Sequence, residues 1–238
     1  MKKLFALLLV LVMVFSFAAC GEKTPETTTE PETTTEPETT TEPETTTEPE
    51  TENASDWIND TADSILGIRE KNKYENAYMG FGVDLDDSWY VYSEKELAAL
   101  LGLATEQFSD ESFKELIEKG GSAMEFVAVR NDGSTITIGR EKLPVSIKDE
   151  DYFNAAYGLM VDAYANAGYE DVSCEIGTTT FLGEEYACMK INYKVNGIAL
   201  YQILVLRQAP GYLSVITSTA SDFTGCENVL AEFYPVSE

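Results

Sequence analysis

The chain has 238 residues, 42 of them acidic and 16 basic, with no histidine and a net charge of −26 at neutral pH. That charge repels phosphate backbones and anionic lipid and excludes nucleic acid as a partner class. The missing imidazole removes Ser-His and Cys-His dyads and most transition-metal sites.

Lys2 and Lys3 precede an apolar run from Leu4 to Phe15, followed by Ser16, Phe17, Ala18, Ala19 and Cys20. A basic start, a short greasy segment and small residues before a break read as an export signal over residues 1–19. The run is short of the roughly 20 residues that cross a bilayer. Phe17-Ala18-Ala19-Cys20 resembles a lipobox, the motif cut by lipoprotein signal peptidase, which implies lipid attachment at Cys20. Bacterial lipoproteins of this kind carry two or three acyl chains, enough for a durable anchor. The competing reading is plain secretion with cleavage after Ala18.

Residues 20–52 read as a tether. PETTTE begins at Pro25 and recurs at Pro31, Pro37 and Pro43, and a truncated PETE ends at Glu52. With no large apolar residue between Cys20 and Trp57, this stretch cannot build a core. Regular prolines and repelling glutamates favour an extended chain, and some thirty residues at about 3.1 Å each reach on the order of 90 Å. The threonines also allow O-glycosylation.

Residues 53–238 suit a single domain with a good core. This part alone has 31 acidic against 13 basic residues, a net charge near −18. Export permits disulfides, but Cys174, Cys188 and Cys226 are an odd set. A turn at Gly183-Glu184 sets Cys174 opposite Tyr193 and Cys188 opposite Thr179. Those positions lie on different faces of a sheet, which argues against a Cys174–Cys188 bridge and for small buried hydrophobes.

Ser55 to Leu66 has the cap and apolar stripe of a short helix. Phe81, Val83 and Leu85 alternate with polar residues, Asp86-Asp87-Ser88 reads as a turn, and Trp89 to Tyr92 returns as the second strand of a hairpin. Ser93 caps a helix from Glu94 to Leu101, with Glu96 placed to complete a capping box. Ser112 to Lys119 forms a helix that stops at Gly120-Gly121. Met124 to Val129 and Ile136 to Ile138 form a hairpin through a two-residue Asp132-Gly133 turn. Asp149 to Ala167 carries apolar residues at three- and four-residue spacings, and Gly168 ends it. Four strands follow: Val172–Thr180, Tyr186–Val195, Ile198–Arg207 and Tyr212–Thr219. Asn196-Gly197 and Pro210-Gly211 are tight turns. The Asn-Gly turn aligns Ala187, Met189, Ile191, Tyr193 and Val195 with Leu206, Leu204, Gln202, Leu200 and Ile198. Tyr201, Ile203 and Val205 make the third strand apolar on its other face too, so that sheet is covered on both sides. A last helix runs from about Cys226 to Phe233. The expected fold is α+β: an antiparallel sheet of hairpins and a four-strand meander, with helices on both faces.

This pattern resembles the PsbP-like fold shared by photosystem extrinsic proteins and DcrB-type bacterial lipoproteins. The resemblance rests on Phe81-Gly82-Val83 leading to Ser88-Trp89, the Glu94 helix and the long helix before Gly168. It also rests on Leu182-Gly183-Glu184-Glu185-Tyr186, Gly211-Tyr212 and Phe233-Tyr234-Pro235-Val236. Together these cover most of residues 74–238. The resemblance implies an accessory binding or assembly protein rather than an enzyme.

Nothing past Cys20 signals a chemistry. There is no Walker loop, dinucleotide fingerprint or nucleophile elbow. Asp84, Asp86 and Asp87 lack the spacing of a calcium loop. No cofactor, metal or catalytic residue is assigned. The expected function is a lipid-anchored, extracytoplasmic binding or scaffolding domain at the outer face of the cytoplasmic membrane. Its partners are the membrane, through Cys20, and a cell-envelope protein. Two alternatives stay open. One is a small-molecule or ion sensor with a cleft lined by Tyr157, Tyr164, Tyr193 and Tyr201. The other is a hydrolase built from Asp, Glu or Tyr.

Overall fold

A computed structural model describes residues 65–100, 110–119, 121–143 and 145–237. The export signal, Cys20, the tether and nearly all of the Ser55–Leu66 helix lie outside the described residues. Ile65 and Leu66 form a bend rather than a helix end, and both are buried.

The chain opens with β1 (Ile68–Glu70), β2 (Lys73–Asn76), β3 (Phe81–Asp84) and β4 (Trp89–Val91). Helices α1 (Glu94–Leu100) and α2 (Asp110–Glu118) precede β5 (Ser122–Arg130) and β6 (Thr135–Lys142). Helix α3 (Asp149–Asn166) leads into the meander β7 (Glu170–Phe181), β8 (Glu184–Val195), β9 (Ile198–Ala209) and β10 (Tyr212–Ala220). Helix α4 (Phe223–Leu230) and β11 (Phe233–Pro235) close the fold.

Among the described residues every strand pair is antiparallel, so the fold is α+β as expected, but the strands divide between two sheets. Seven strands run β4-β5-β6-β10-β9-β8-β7, and four run β1-β2-β3-β11. The expected hairpin of β3 with β4 does not form. β3 pairs with β2 and β11, whereas β4 pairs with β5. The Asp86 turn, held by Ser88 N–H on Asp86 Oδ1 at 2.8 Å, carries the chain from one sheet to the other. Phe233 starts the last strand of the small sheet and does not belong to the final helix.

The large sheet is apolar on both sides, as its central strands require. One face buries Met189, Ile191, Leu204, Leu206 and Val215 beneath α3, and Met124 and Val127 beneath α1 and α2. The other face packs Phe126, Ile138, Val205 and Ile216 against Tyr74, Phe81 and Val83 of the small sheet, with Val229 and Leu230 of α4 alongside. Helices do lie on both faces, but a second sheet shares the α4 side. Among the described residues, no helix is long and apolar enough to cross a membrane.

Local chemistry explains the element ends. Ser93 and Glu96 form the expected capping box: Ser93 N–H reaches Glu96 Oε2 at 2.8 Å and Glu96 N–H reaches Ser93 Oγ at 3.4 Å. Helix α3 ends in a Schellman motif. Gly168 N–H donates to Ala165 O and Tyr169 N–H to Tyr164 O, with Gly168 at φ +83° and the Tyr164 and Tyr169 rings in contact. The β8–β9 register is the expected one, from Val195 opposite Ile198 outward. Two turns differ. The β5–β6 loop has three residues, Asn131 to Gly133, because Arg130 N–H bonds Ser134 O; Gly133 takes the left-handed position that lets the strands rejoin. The β7–β8 turn is Leu182-Gly183, with both residues at positive φ. Cys174 therefore faces Ile191 across the ladder and Gly177 faces Cys188. The two cysteines still lie on opposite faces, one in the core under α3 and the other in the core between the sheets. All three described cysteines are free and buried.

Candidate functional site

The deepest polar cluster is built on a defect in β5. Met124 pairs with Gly139 and Phe126 with Ile138, which leaves Glu125 as a bulged extra residue. A bulge re-aims side chains, and here Glu125 and Phe126 both reach Tyr74. The Phe126 and Tyr74 ring centroids are 5.4 Å apart, and the Tyr74 hydroxyl donates to Glu125 Oε2. Arg140, fully buried, places Nη2 at 3.1 Å from the same oxygen and donates through Nη1 to Ile65 O. Asn76 Nδ2 donates to Ile65 O at 3.2 Å. A Cβ on Gly67 would come within 2.3 Å of the Tyr74 ring, so only glycine lets the chain pass there. Burial, helped by the Glu125 charge, pushes the Tyr74 hydroxyl far above its ordinary range. It stays a donor. The cluster is buried and clasps the segment from Ile65 to Gly67. The sequence signal for it was the alternation Ile136, Ile138, Arg140, which puts Arg140 on the inward face of β6.

The four tyrosines expected to line a cleft do not converge. Tyr157 is exposed on α3. Tyr164 and Tyr193 are buried with centroids 5.0 Å apart, and Tyr169 stacks on Tyr193 at 4.8 Å. The Tyr164 hydroxyl donates to Gln202 Oε1, whose Nε2 donates to Thr219 Oγ1 at 3.0 Å. Tyr201 lies on the opposite face, its ring 4.9 Å from Phe223 of α4. Strand parity forces this: Tyr193 pairs with Leu200, so Tyr201 points the other way. Tyr164 and Tyr193 are therefore core packing, and Tyr201 packs half-buried against the opposite core.

A second buried carboxylate, Glu141, sits under α3 and accepts the Tyr152 hydroxyl at 2.9 Å. Burial outweighs that bond and raises Glu141 to about 7. Burial likewise raises the thiols of Cys174 and Cys188 to about 11 and Cys226 to about 12, so none is a thiolate at neutral pH. Among the described residues, no group of three or more Cys, Asp or Glu side chains is arranged to hold a metal ion.

A groove of about 540 Å³ opens beside the end of β7. Thr178, Thr179 and Thr180 of β7 border it, with Leu182, Gly183 and Glu185 of the following hairpin. Glu227 and Leu230 of α4, then Ala231 and Phe233, complete it. Glu185 accepts the Thr178 hydroxyl at 3.5 Å, and Glu227 lies 3.5 Å from Lys190 Nζ. Thr179 is buried, and its hydroxyl has no partner among the described residues. The sequence carries no signal for this groove, because α4 meets β7 only in the folded chain.

No family model and no curated protein matches the chain. Solved structures do. A protein of Bacteroides thetaiotaomicron is 12% identical, with a TM-score of 0.38, over 71% of this chain and 50% of that one, so this chain spans half of that protein's length. LpqN of Mycobacterium tuberculosis, described as involved in cell envelope biogenesis, is 13% identical, with a TM-score of 0.37, over 77% of this chain and 96% of that one.

Proposed function

We propose that the chain is a non-enzymatic surface lipoprotein. It presents one binding or scaffolding domain, of the PsbP-like type its sequence resembles, on an acidic stalk at the outer face of the cytoplasmic membrane. The lipid is carried by Cys20, and the partner is a cell-envelope protein. The observation that carries this reading is the use made of the buried charges. Arg140 donates to Glu125 and to the Ile65 carbonyl and Tyr74 donates to Glu125, all within the interior, while Glu125 Oε1 and Arg140 Nε have no partner among the described residues. Groups buried in that way brace the fold and present no reacting atom to a substrate in solvent. The sensor reading draws less support from these residues, because Tyr157 is exposed on α3, Tyr164 and Tyr193 lie in one core and Tyr201 packs against the other.

Cys20→Ala tests the anchor. The variant is expected in the medium rather than the membrane fraction, and the wild-type chain is expected to take up a labelled fatty-acid precursor. Wild-type protein left unlabelled overturns the lipoprotein reading. A saturable thermal shift with a metabolite or metal ion, absent with envelope proteins, would favour the sensor instead.

A further inference from the structure

We infer that the outer edge of β7, beside α4, binds an extended basic peptide by strand addition, which rests on the binding-domain reading above and names its ligand. β7 is the last strand of the large sheet, and no described strand pairs with its outer edge. An edge strand directs every second N–H and C=O outward, ready for another chain.

The two halves of this edge differ. In the first half, Asp171 takes a left-handed conformation at φ +52°, the register slips between Glu170 and Ser173, and Glu170, Asp171 and Glu175 supply charge. Bulges and charges are devices that block strand pairing. The second half, Ile176 to Phe181, is uncharged, regularly paired with β8, and contains Thr178-Thr179-Thr180, a residue type suited to strands. The groove lies along this unguarded half.

Consecutive strand residues point to opposite faces, yet Thr178, Thr179 and Thr180 all border the groove. It therefore runs past the backbone edge itself. An added strand about 4.8 Å from β7 would send alternate side chains toward Leu230 and Phe233. Glu185 and Glu227 flank this path, Glu227 with Lys190 Nζ at 3.5 Å, and the lining residues include no lysine or arginine. The occupant is thus a segment that alternates apolar and basic residues. A second copy of this chain does not fit, since pairing two β7 edges would bring together two domains of net charge near −18.

The test uses the purified full chain and a fluorescent octapeptide of alternating valine and lysine. Saturable binding is expected, with amide exchange slowed selectively over residues 176–181. The same peptide N-methylated at alternate residues keeps its charge but cannot extend a sheet, and should bind at least tenfold more weakly. Glu185→Lys combined with Glu227→Lys should cost a similar factor. Equal binding of the N-methylated peptide, or protection away from β7, overturns the inference. So does slowed exchange over 176–181 without peptide, which would mean that a second copy or the chain's own N-terminal part already occupies the edge. If an envelope partner binds wild type and the double variant equally, the strand-addition site is wrong and the binding-domain reading survives. If the chain is unlipidated yet binds the peptide as described, the anchor is wrong and this site survives.

Discussion

Arg140 and Glu125 form an ion pair with side-chain exposures of 0% and 4%. At that depth the desolvation cost rivals the attraction, so the pair is a poor source of net stability but a costly thing to break. Arg140→Ala should lose about 3 to 5 kcal/mol in urea unfolding, because Glu125 is left buried without its partner. Replacing both partners, as Arg140→Met with Glu125→Leu, should lose much less. Equal losses in the single and double variants would show that the pair contributes through packing alone. Glu141 makes the second residue-scale prediction. Its carboxyl titrates near 7 when folded, against an ordinary value near 4.5. Between those values the folded state holds the extra proton, so stability falls as pH rises across that window and the loss is complete above pH 7. Glu141→Gln keeps an acceptor for Tyr152 and removes the titration. From pH 4.5 to 7.5 its stability should gain on wild type by roughly 2 to 3 kcal/mol. A constant difference across that range would mean the carboxyl is solvated.

Among the elements, α4 matters most to the proposed site and is held by few groups. Its eight residues are too short to persist alone. Asp222 caps it by accepting Gly225 N–H at 2.7 Å, while Cys226, Val229 and Leu230 seat it in the core. Asp222→Ala should cost about 1 kcal/mol. Because the cost falls on α4, Cys226 should become alkylated faster while Cys174 stays protected. Equal acceleration at both thiols would mean global rather than local opening. The capping box of α1 and the Schellman end of α3 were readable in advance, since each is written within a few neighbouring residues. The three-residue loop at Gly133 and the Leu182-Gly183 turn were placed one residue off. Several nearby residues there tolerate a turn, and the ladder across the strands makes the choice.

For the molecule as a whole, the two-sided large sheet sets which groups can ever meet. Cys174 and Cys188 occupy adjacent strands yet sit in different cores. Non-reducing mass analysis of the folded protein should find Cys174, Cys188 and Cys226 all as thiols, and a Cys174–Cys188 bridge would contradict the β7–β8 register. The same partition disperses the tyrosines. Tyr193 and Tyr201 are near in sequence and joined by a tight hairpin, but they look out of opposite faces.

Periodicity and turn chemistry by themselves determined the long helix before Gly168, the four-strand meander, the β8–β9 register and the two-sided burial of β9. These follow from contacts between residues close along the chain, where spacing alone decides which side faces the core. Only the tertiary structure decided that β3 and β4 part into separate sheets, that Glu125 bulges inward to meet Arg140 and Tyr74, and that α4 borders the edge of β7. Each of those depends on which distant segment covers an apolar face. Many pairings bury the same residues, and the choice among them lies in packing that no local pattern records.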